Sequence, residues 1–302
     1  MQEALRSEDL SVSAMLAHRD LVLVTGKGGT GKTTLVAALA ELAALRRGRA
    51  VAVEISAHPR LRSLVDPAAH VEVVNLNLEE ATVSSLGRIL GLPGLVGAVA
   101  KNRVIRQFVR TSPAARETIL LDELRFLVEK STQDNVPVIV DLPATGHAVS
   151  LLDTPRTVRK MLKVGPVASA AERAERLLLD PRRCELVVVA VPEELPINET
   201  IELVQRAHEI GVASHRVVVN QVPAAPVAAH EREILEVVQR HGEGALGRFA
   251  KTAHGDSQGA DQARALIERL KRSVRVQTVE VAQCALADPR ACVEAMKAVL
   301  SR

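Results

Sequence analysis

Apolar residues fall into two alternating patterns along this chain. The first is a set of short, continuous, β-branched runs: "DLVLVTG" (Asp20–Gly26), "RAVAVEIS" (Arg49–Ser56), "VEVVNLNL" (Val71–Leu78), "VPVIVDLP" (Val136–Pro143), "CELVVVAVP" (Cys184–Pro192), "SHRVVVNQVP" (Ser214–Pro223) and "RVQTVEVA" (Arg275–Ala282). Runs without polar alternation predict strands buried on both faces. The second pattern has the helical period. It covers Lys32–Gly48, with bases in its last turn and a glycine just beyond, then Thr157–Leu179, Glu194–Gly211, Pro226–Arg240, Ala260–Arg272 and Pro289–Ser301. Strands alternating with helices predict an α/β fold, a mostly parallel sheet flanked by helices on both faces.

One stretch departs from the alternation. From Ala81 to Glu129 the pattern is helical, interrupted by Gly91, Pro93–Gly94 and Pro113. No internal repeat or low-complexity linker divides the chain. The expected organisation is a lead-in segment at 1–19, a short helix or frayed tail, and one domain at 20–302 with a helical subregion at about 81–130.

Composition narrows the classes. At 47% hydrophobic and 25% charged over 302 residues, the chain can bury a large core. No stretch approaches the ~20 apolar residues of a membrane helix, and the mixed-charge start lacks the apolar centre of a secretion signal. A net charge of +3 with no Trp, no Tyr and three Phe gives no reason to expect a nucleic-acid surface. The three cysteines, Cys184, Cys284 and Cys292, have no C-x-x-C spacing. No zinc site is expected, and the odd count points to reduced thiols in a cytoplasmic protein.

The chemistry concentrates in "VTGKGGTGKTT", Val24–Thr34, between the first strand and the first long helix. Gly26, Gly31, Lys32 and Thr33 fit the phosphate-loop pattern G-x-x-x-x-G-K-[ST]. Glycines at 26, 28, 29 and 31 let the backbone N–H groups of Lys27–Thr34, Thr30 among them, turn inward on phosphate oxygens, and the helix after the loop adds its positive end. Lys32 is expected to reach the β- and γ-phosphates of ATP, and the Thr33 hydroxyl to ligate Mg²⁺. Lys27 is one lysine more than such a loop requires.

That extra lysine resembles the deviant phosphate loop of the MinD/ParA/nitrogenase-iron-protein class, in which it reaches across a dimer to the partner's phosphates. Three further stretches narrow the resemblance. "DLPATGHAVSLLDTP" (Asp141–Pro155) is similar to switch II of the arsenite-pump (ArsA) and tail-anchored-protein targeting ATPases, although the proline stands one place early at Pro143. "VPEELPINET" (Val191–Thr200) and "VVVNQVP" (Val217–Pro223) resemble that family's proline–glutamate strand end and its adenine-side motif. The resemblance implies roles by position. Asp141 would be the strand-end acid holding Mg²⁺ through water, Gly146–His147 the γ-phosphate sensor, and Asn220 the adenine contact.

The chain departs from the family pattern in its switch I. There the family carries an Asp that positions the attacking water. Here "VEISAHPRL" (Val53–Leu61) puts Ile55 or Ser56 in its place, and the nearest acid is Glu54. Glu54 either substitutes for that Asp or serves a helix end or surface pair. The pump's metalloid cysteines and the targeting factor's zinc motif are absent. The stretch "LGRILGLPGLVGAVAKNRVIRQFV", in the groove-forming region, is a partner surface or ordinary packing. The resemblance implies a Mg²⁺-dependent ATPase cycling between dimer states on a protein client, of which a hydrophobic or membrane-associated protein is one kind. The dimer is a homodimer or a heterodimer with a related ATPase. The alternative is an ATP-gated scaffold or weakly active subunit. A DNA-positioning ATPase is disfavoured by the charge balance.

Overall fold

Strand β1 (Leu21–Gly26) is buried at every position, and its side chains leave in alternation toward two different cores. Leu21 and Leu23 enter one hydrophobic cluster, Val22 and Val24 the other, as the period of two along a strand requires. The computed structural model describes residues 11–56, 58–89, 103, 107, 111–227, 231–241, 244–284 and 288–301. Around β1 lie β2 (Ala50–Glu54), β3 (Val71–Asn75), β4 (Val138–Asp141), β5 (Cys184–Ala190), β6 (Arg216–Val222) and β7 (Gln277–Ala282). They form one seven-stranded sheet in the order β3-β2-β4-β1-β5-β6-β7. Every pairing is parallel, as the unbroken apolar runs predict.

Helices cover both faces. On one side stand α1 (Val12–His18), α2 (Lys32–Arg47), α3 (Leu61–Leu64) and α11 (Pro289–Leu300). Their Leu16, Leu35, Leu39, Leu61, Val293 and Met296 pack with the even-numbered residues of β1. On the other stand α5 (Pro113–Gln133), α6 (Thr145–Met161), α7 (Pro166–Leu179), α8 (Glu194–Ile210) and α10 (Gly244–Ser273). They supply Leu124, Leu151, Leu177, Ile197 and Ile267 to the other core. Helices α4 (Leu78–Ile89) and α9 (Arg232–His241) complete the set among the described residues. The interruptions expected at Gly91 and Pro93–Gly94, and most of the groove-like stretch, lie outside the described residues; Pro113 begins α5 rather than interrupting a helix.

Two helices start earlier than their periodicity suggests. The segment after β4 is helical from Thr145, not from Thr157, with Pro155 inside the helix. A proline removes a helix hydrogen bond and clashes with the preceding turn, so the helical pattern is clean only beyond it. The run through 157–179 is also broken, at Leu162–Gly165, where Gly165 has φ +107° and Pro166 opens α7. Helix α10 begins at Gly244 rather than Ala260. Its buried stripe, Ala250, Ala253, Ser257, Ala260 and Ala263, is made of small side chains that give little hydrophobic signal.

Two buried charge clusters tie the layers together. In the middle of α2, Glu41 is 2% exposed and accepts from the Asp66 backbone N–H (2.8 Å), Lys297 Nζ (2.7 Å) and the Arg290 guanidinium. Against the desolvation of burial, these partners hold its carboxyl below the ordinary carboxylate range. The P-loop helix is thereby clamped to α11. At the other end of the sheet Glu185, fully buried on β5, sits between Arg216 (3.2 Å) and Arg19 (3.4 Å).

Candidate nucleotide-binding site

Because β1 lies between β4 and β5 and continues into a helix on one face, its C-terminal end opens onto the crevice where doubly wound sheets bind ligands. The glycine loop occupies that position. It leaves the sheet at Gly26, whose added Cβ would stand 2.1 Å from the Val189 carbonyl oxygen. It enters α2 at Gly31, the N-cap, with φ +95°. A Cβ there would meet Asn220 Nδ2 at 2.4 Å. Gly28 and Gly29, in contrast, have open space around them and are exposed. The two outer glycines allow close backbone packing and the middle two leave the cradle clear. Within the loop the Thr30 hydroxyl donates to the Lys27 carbonyl (2.9 Å), and Lys32 Nζ donates to the same oxygen (3.1 Å). Thr34 comes next in the first turn of α2, half-buried.

Thr33 and Asp141 meet, as the resemblance implies. The Thr33 hydroxyl donates to Asp141 Oδ2 at 2.6 Å. Asp141 Oδ1 is buried and has no protein partner. Burial pushes the Asp141 carboxyl above its ordinary range. Thr33 and Lys32 draw it down, and the neighbouring Glu54 carboxylate pushes it up again. An orphaned carboxylate oxygen beside a threonine hydroxyl at the mouth of a phosphate cradle suits a hard divalent cation, which takes oxygen ligands. The residues present therefore fit Mg²⁺. Burial lowers the Lys32 pKa, and Asp141 opposes that shift.

Glu54 has different work. The register pairs Glu54 with Asp141 across β2 and β4, which places both side chains on the α2 face of the sheet. Both Glu54 oxygens, however, accept backbone N–H bonds from Arg60 (2.9 and 3.0 Å), and one also accepts from Leu61 (2.9 Å). The carboxylate caps α3 and ties the 55–60 loop to the strand end. Replacing Glu54 with Ala is expected to cost about 1–2 kcal/mol of stability through the freed N–H groups, read as a lower denaturant midpoint with an unchanged m-value.

Asn220 and Gln221 end β6 against the same loop. Asn220 Nδ2 donates to the Thr30 carbonyl (3.0 Å) and Gln221 Nε2 to that of Gly29 (3.4 Å). Gln221 is left-handed, φ +58°, where the β6–β7 register slips. Sequence reasoning assigned Asn220 to adenine; here its amide N–H₂ braces the P-loop. It missed Gln221, although two adjacent amides after an apolar strand were the available signal. His147 is exposed in the first turn of α6, next to Gly146, which has open space around it. The Thr25 hydroxyl bonds the Pro143 carbonyl (3.0 Å), linking the ends of β1 and β4.

Lys27 does not contribute to its own loop's cradle through its side chain. Its Nζ reaches Glu199 Oε1 on α8 at 2.9 Å, with the two side chains 33% and 30% exposed. A pair this open is worth at most about 1 kcal/mol and is given up easily. Glu199 falls within "VPEELPINET", but nothing in the spacing marked it as the partner of Lys27.

The chain is 28% identical over 225 residues to the ATPase BagA of Mycobacterium tuberculosis, covering 68% of this chain and 66% of that one. It is 24% identical to the ATPase ASNA1 homolog 1 of Paramecium tetraurelia over 67% of this chain and 74% of the relative. It is 25% identical to an arsenical pump-driving ATPase of Acidiphilium multivorum, over 68% of this chain and 36% of the pump protein. The chain thus spans slightly less than two thirds of the mycobacterial relative's length. The family model described as Anion-transporting ATPase matches residues 19–168 and 165–241, from the start of the sheet through the P-loop, Asp141 and Asn220. The chain belongs to this ArsA-type ATPase family.

Proposed function

We propose that this chain is a Mg²⁺-dependent ATPase that works as a nucleotide-controlled dimer on a protein client. The observation that carries the reading is the second P-loop lysine. Lys32 stays within its own loop, whereas Lys27 extends away from it to a weak, half-exposed pair with Glu199. A lysine held this loosely is available to a neighbouring subunit's phosphates. Each group has a distinct task. The backbone N–H groups of the glycine loop bind and orient the phosphates, and Lys32 neutralises charge on the β- and γ-phosphate oxygens. Thr33 and Asp141 would hold Mg²⁺, which would supply neutralisation of phosphate charge. The Gly146–His147 turn, a few residues beyond Asp141, transmits the presence of the γ-phosphate to α6. Asn220 and Gln221 keep the loop in its binding shape. Asn220 would also offer its amide oxygen to the adenine. The name of the arsenical pump-driving relative supports an ATPase coupled to other work.

The test is light scattering with and without ATP·Mg²⁺, joined to a phosphate-release assay. The wild-type chain is expected to associate with ATP and to release phosphate. Lys27→Ala is expected to retain ATP binding within about twofold while losing association and turnover together. Unchanged steady-state turnover in that variant would rule out the cross-subunit lysine.

A second reading, an ATP-gated scaffold with little hydrolysis, is favoured by the engagement of Glu54. Its carboxylate is committed to the Arg60 and Leu61 N–H groups, and Ile55 and Ser56 bring no acid to the site. Phosphate release by the wild-type chain separates the two readings, since robust turnover excludes the scaffold, and Glu54→Gln then tests the role of Glu54 in that turnover. Gln preserves an acceptor for the cap but removes the charge, so lost turnover with retained fold assigns Glu54 to the attacking water, and unchanged turnover leaves it a capping residue.

A further inference from the structure

Two of the three cysteines meet outside the nucleotide site. Cys284 lies two residues past the end of β7, and Cys292 is in the first turn of α11. Both are half-buried, and Cys292 is hydrogen-bonded through its thiol to Cys284. Their backbones are independently anchored. The Gln283 N–H donates to the Val222 carbonyl (2.9 Å). Asp288 caps α11 by accepting from the Arg290 N–H (3.0 Å), and the Cys292 N–H donates to the Asp288 carbonyl (3.3 Å). Behind Cys292, Val293 and Met296 are buried against the P-loop helix side of the sheet. The thiols thus meet between the end of β7 and the first turn of α11.

We propose that Cys284 and Cys292 form a reversible intrachain disulfide, a redox modification site on the C-terminal helix. The hydrogen bond to Cys284 and partial burial push the Cys292 thiol up to about 11, which disfavours Cys292 as the first attacking group. With a low-molecular-weight disulfide such as oxidised glutathione as oxidant, the Cys284 thiolate attacks one of its sulfurs. That S–S bond breaks, a mixed disulfide forms and one glutathione thiolate leaves. Cys292 then loses its proton to solvent, attacks the Cys284 Sγ and expels the second glutathione thiolate. Two protein thiols are oxidised and one disulfide is reduced to two thiols. Cys184 takes no part: it is fully buried at the start of β5, and desolvation pushes its thiol far up. The bond closes a short ring joining the end of β7 to the helix whose Arg290 and Lys297 grip Glu41. Oxidation thus fixes the first turn of the element that clamps the P-loop helix.

The test is incubation of the native protein with oxidised glutathione, then thiol alkylation and tryptic mapping without reduction. Cleavage after Arg290 separates the two cysteines. The expected product is the peptide Val276–Arg290 linked to Ala291–Lys297, lighter than the reduced pair by two hydrogens. It should occur in a protein that runs at monomer mass, with one alkylatable thiol left after denaturation, and be reversed by dithiothreitol. Cys292→Ser should give glutathione on Cys284 alone. Three free thiols, separate glutathione adducts on both cysteines in the native protein, or the linked peptides only in a dimer would overturn the proposal.

Discussion

Lys32→Ala is expected to abolish ATP binding and to reduce phosphate release by at least ~10²–10³-fold, the scale seen when a charge-stabilising group is removed from a transition state. The structure gives the reason for so large an effect from one side chain. The other loop groups expected to meet phosphate are backbone N–H groups, each a partial charge, and Lys27 is turned away to Glu199. Lys32 is therefore the full positive charge that the subunit itself offers at the cradle, close enough to Asp141 for the two to shift each other's titration. Truncation should leave the fold in place, because the hydrogen bond Lys32 Nζ makes is to the loop's own Lys27 carbonyl. Equilibrium binding of a fluorescent ATP analogue measures the first loss and phosphate release the second. Lys32→Arg, which keeps the charge but not the compact shape, is expected to recover binding only in part. Wild-type affinity in Lys32→Ala would remove the loop from the site altogether.

Glu185→Ala should be the most destabilising of the substitutions considered, by about 3–5 kcal/mol, because it takes a buried carboxylate away from the two guanidinium groups that face it. Glu185 is fully buried, Arg216 is 2% exposed and Arg19 is 10% exposed, and both arginines face its carboxylate. For a chain of this length, a loss of that size lowers the thermal midpoint by roughly 5–8 °C. The site should be spared at temperatures where the protein stays folded. Glu185 stands roughly 13 Å down β5 from Val189, the residue that packs on Gly26, at about 3.3 Å per residue. A fall in melting temperature with unchanged ATP affinity at low temperature is the expected pair of results. A shift of a degree or two would mean that water or rearranged partners satisfy the arginines.

How much of the fold and the site was legible in the sequence varied with the physics. Unbroken runs such as "CELVVVAVP" announced the central strands, because a parallel sheet covered on both faces has no polar side to interrupt the pattern. The glycine loop between β1 and α2 was legible because its motif fixes residue type and spacing together, and the meeting of Thr33 with Asp141 was legible through the family resemblance. Helix α10 was half hidden, since its buried stripe is alanine and serine and its glycines resemble turn signals. The start of α6 was hidden by Pro155. Least legible were the long-range pairings. Nothing in the spacing joins Lys27 to Glu199, 172 positions away, or commits Asn220 to the Thr30 carbonyl. Such contacts depend on the order of strands in the sheet, which periodicity does not encode.

The strand order also governs when the site can exist. β1 and β2 are consecutive in the chain, yet β4 lies between them, and β1 has β4 and β5 as its neighbours. The glycine loop has therefore been synthesised long before either strand that flanks it. Its own strand remains without a hydrogen-bonding partner until residues 138–141 and then 184–190 arrive, and the brace from Asn220 comes later still. Folding on this topology is non-local and slow by nature. ATP can stabilise only the assembled cradle. During synthesis the nucleotide thus rewards completion of the sheet rather than guiding its beginning, and the growing chain must keep β1's apolar edge from pairing elsewhere without help from its own ligand.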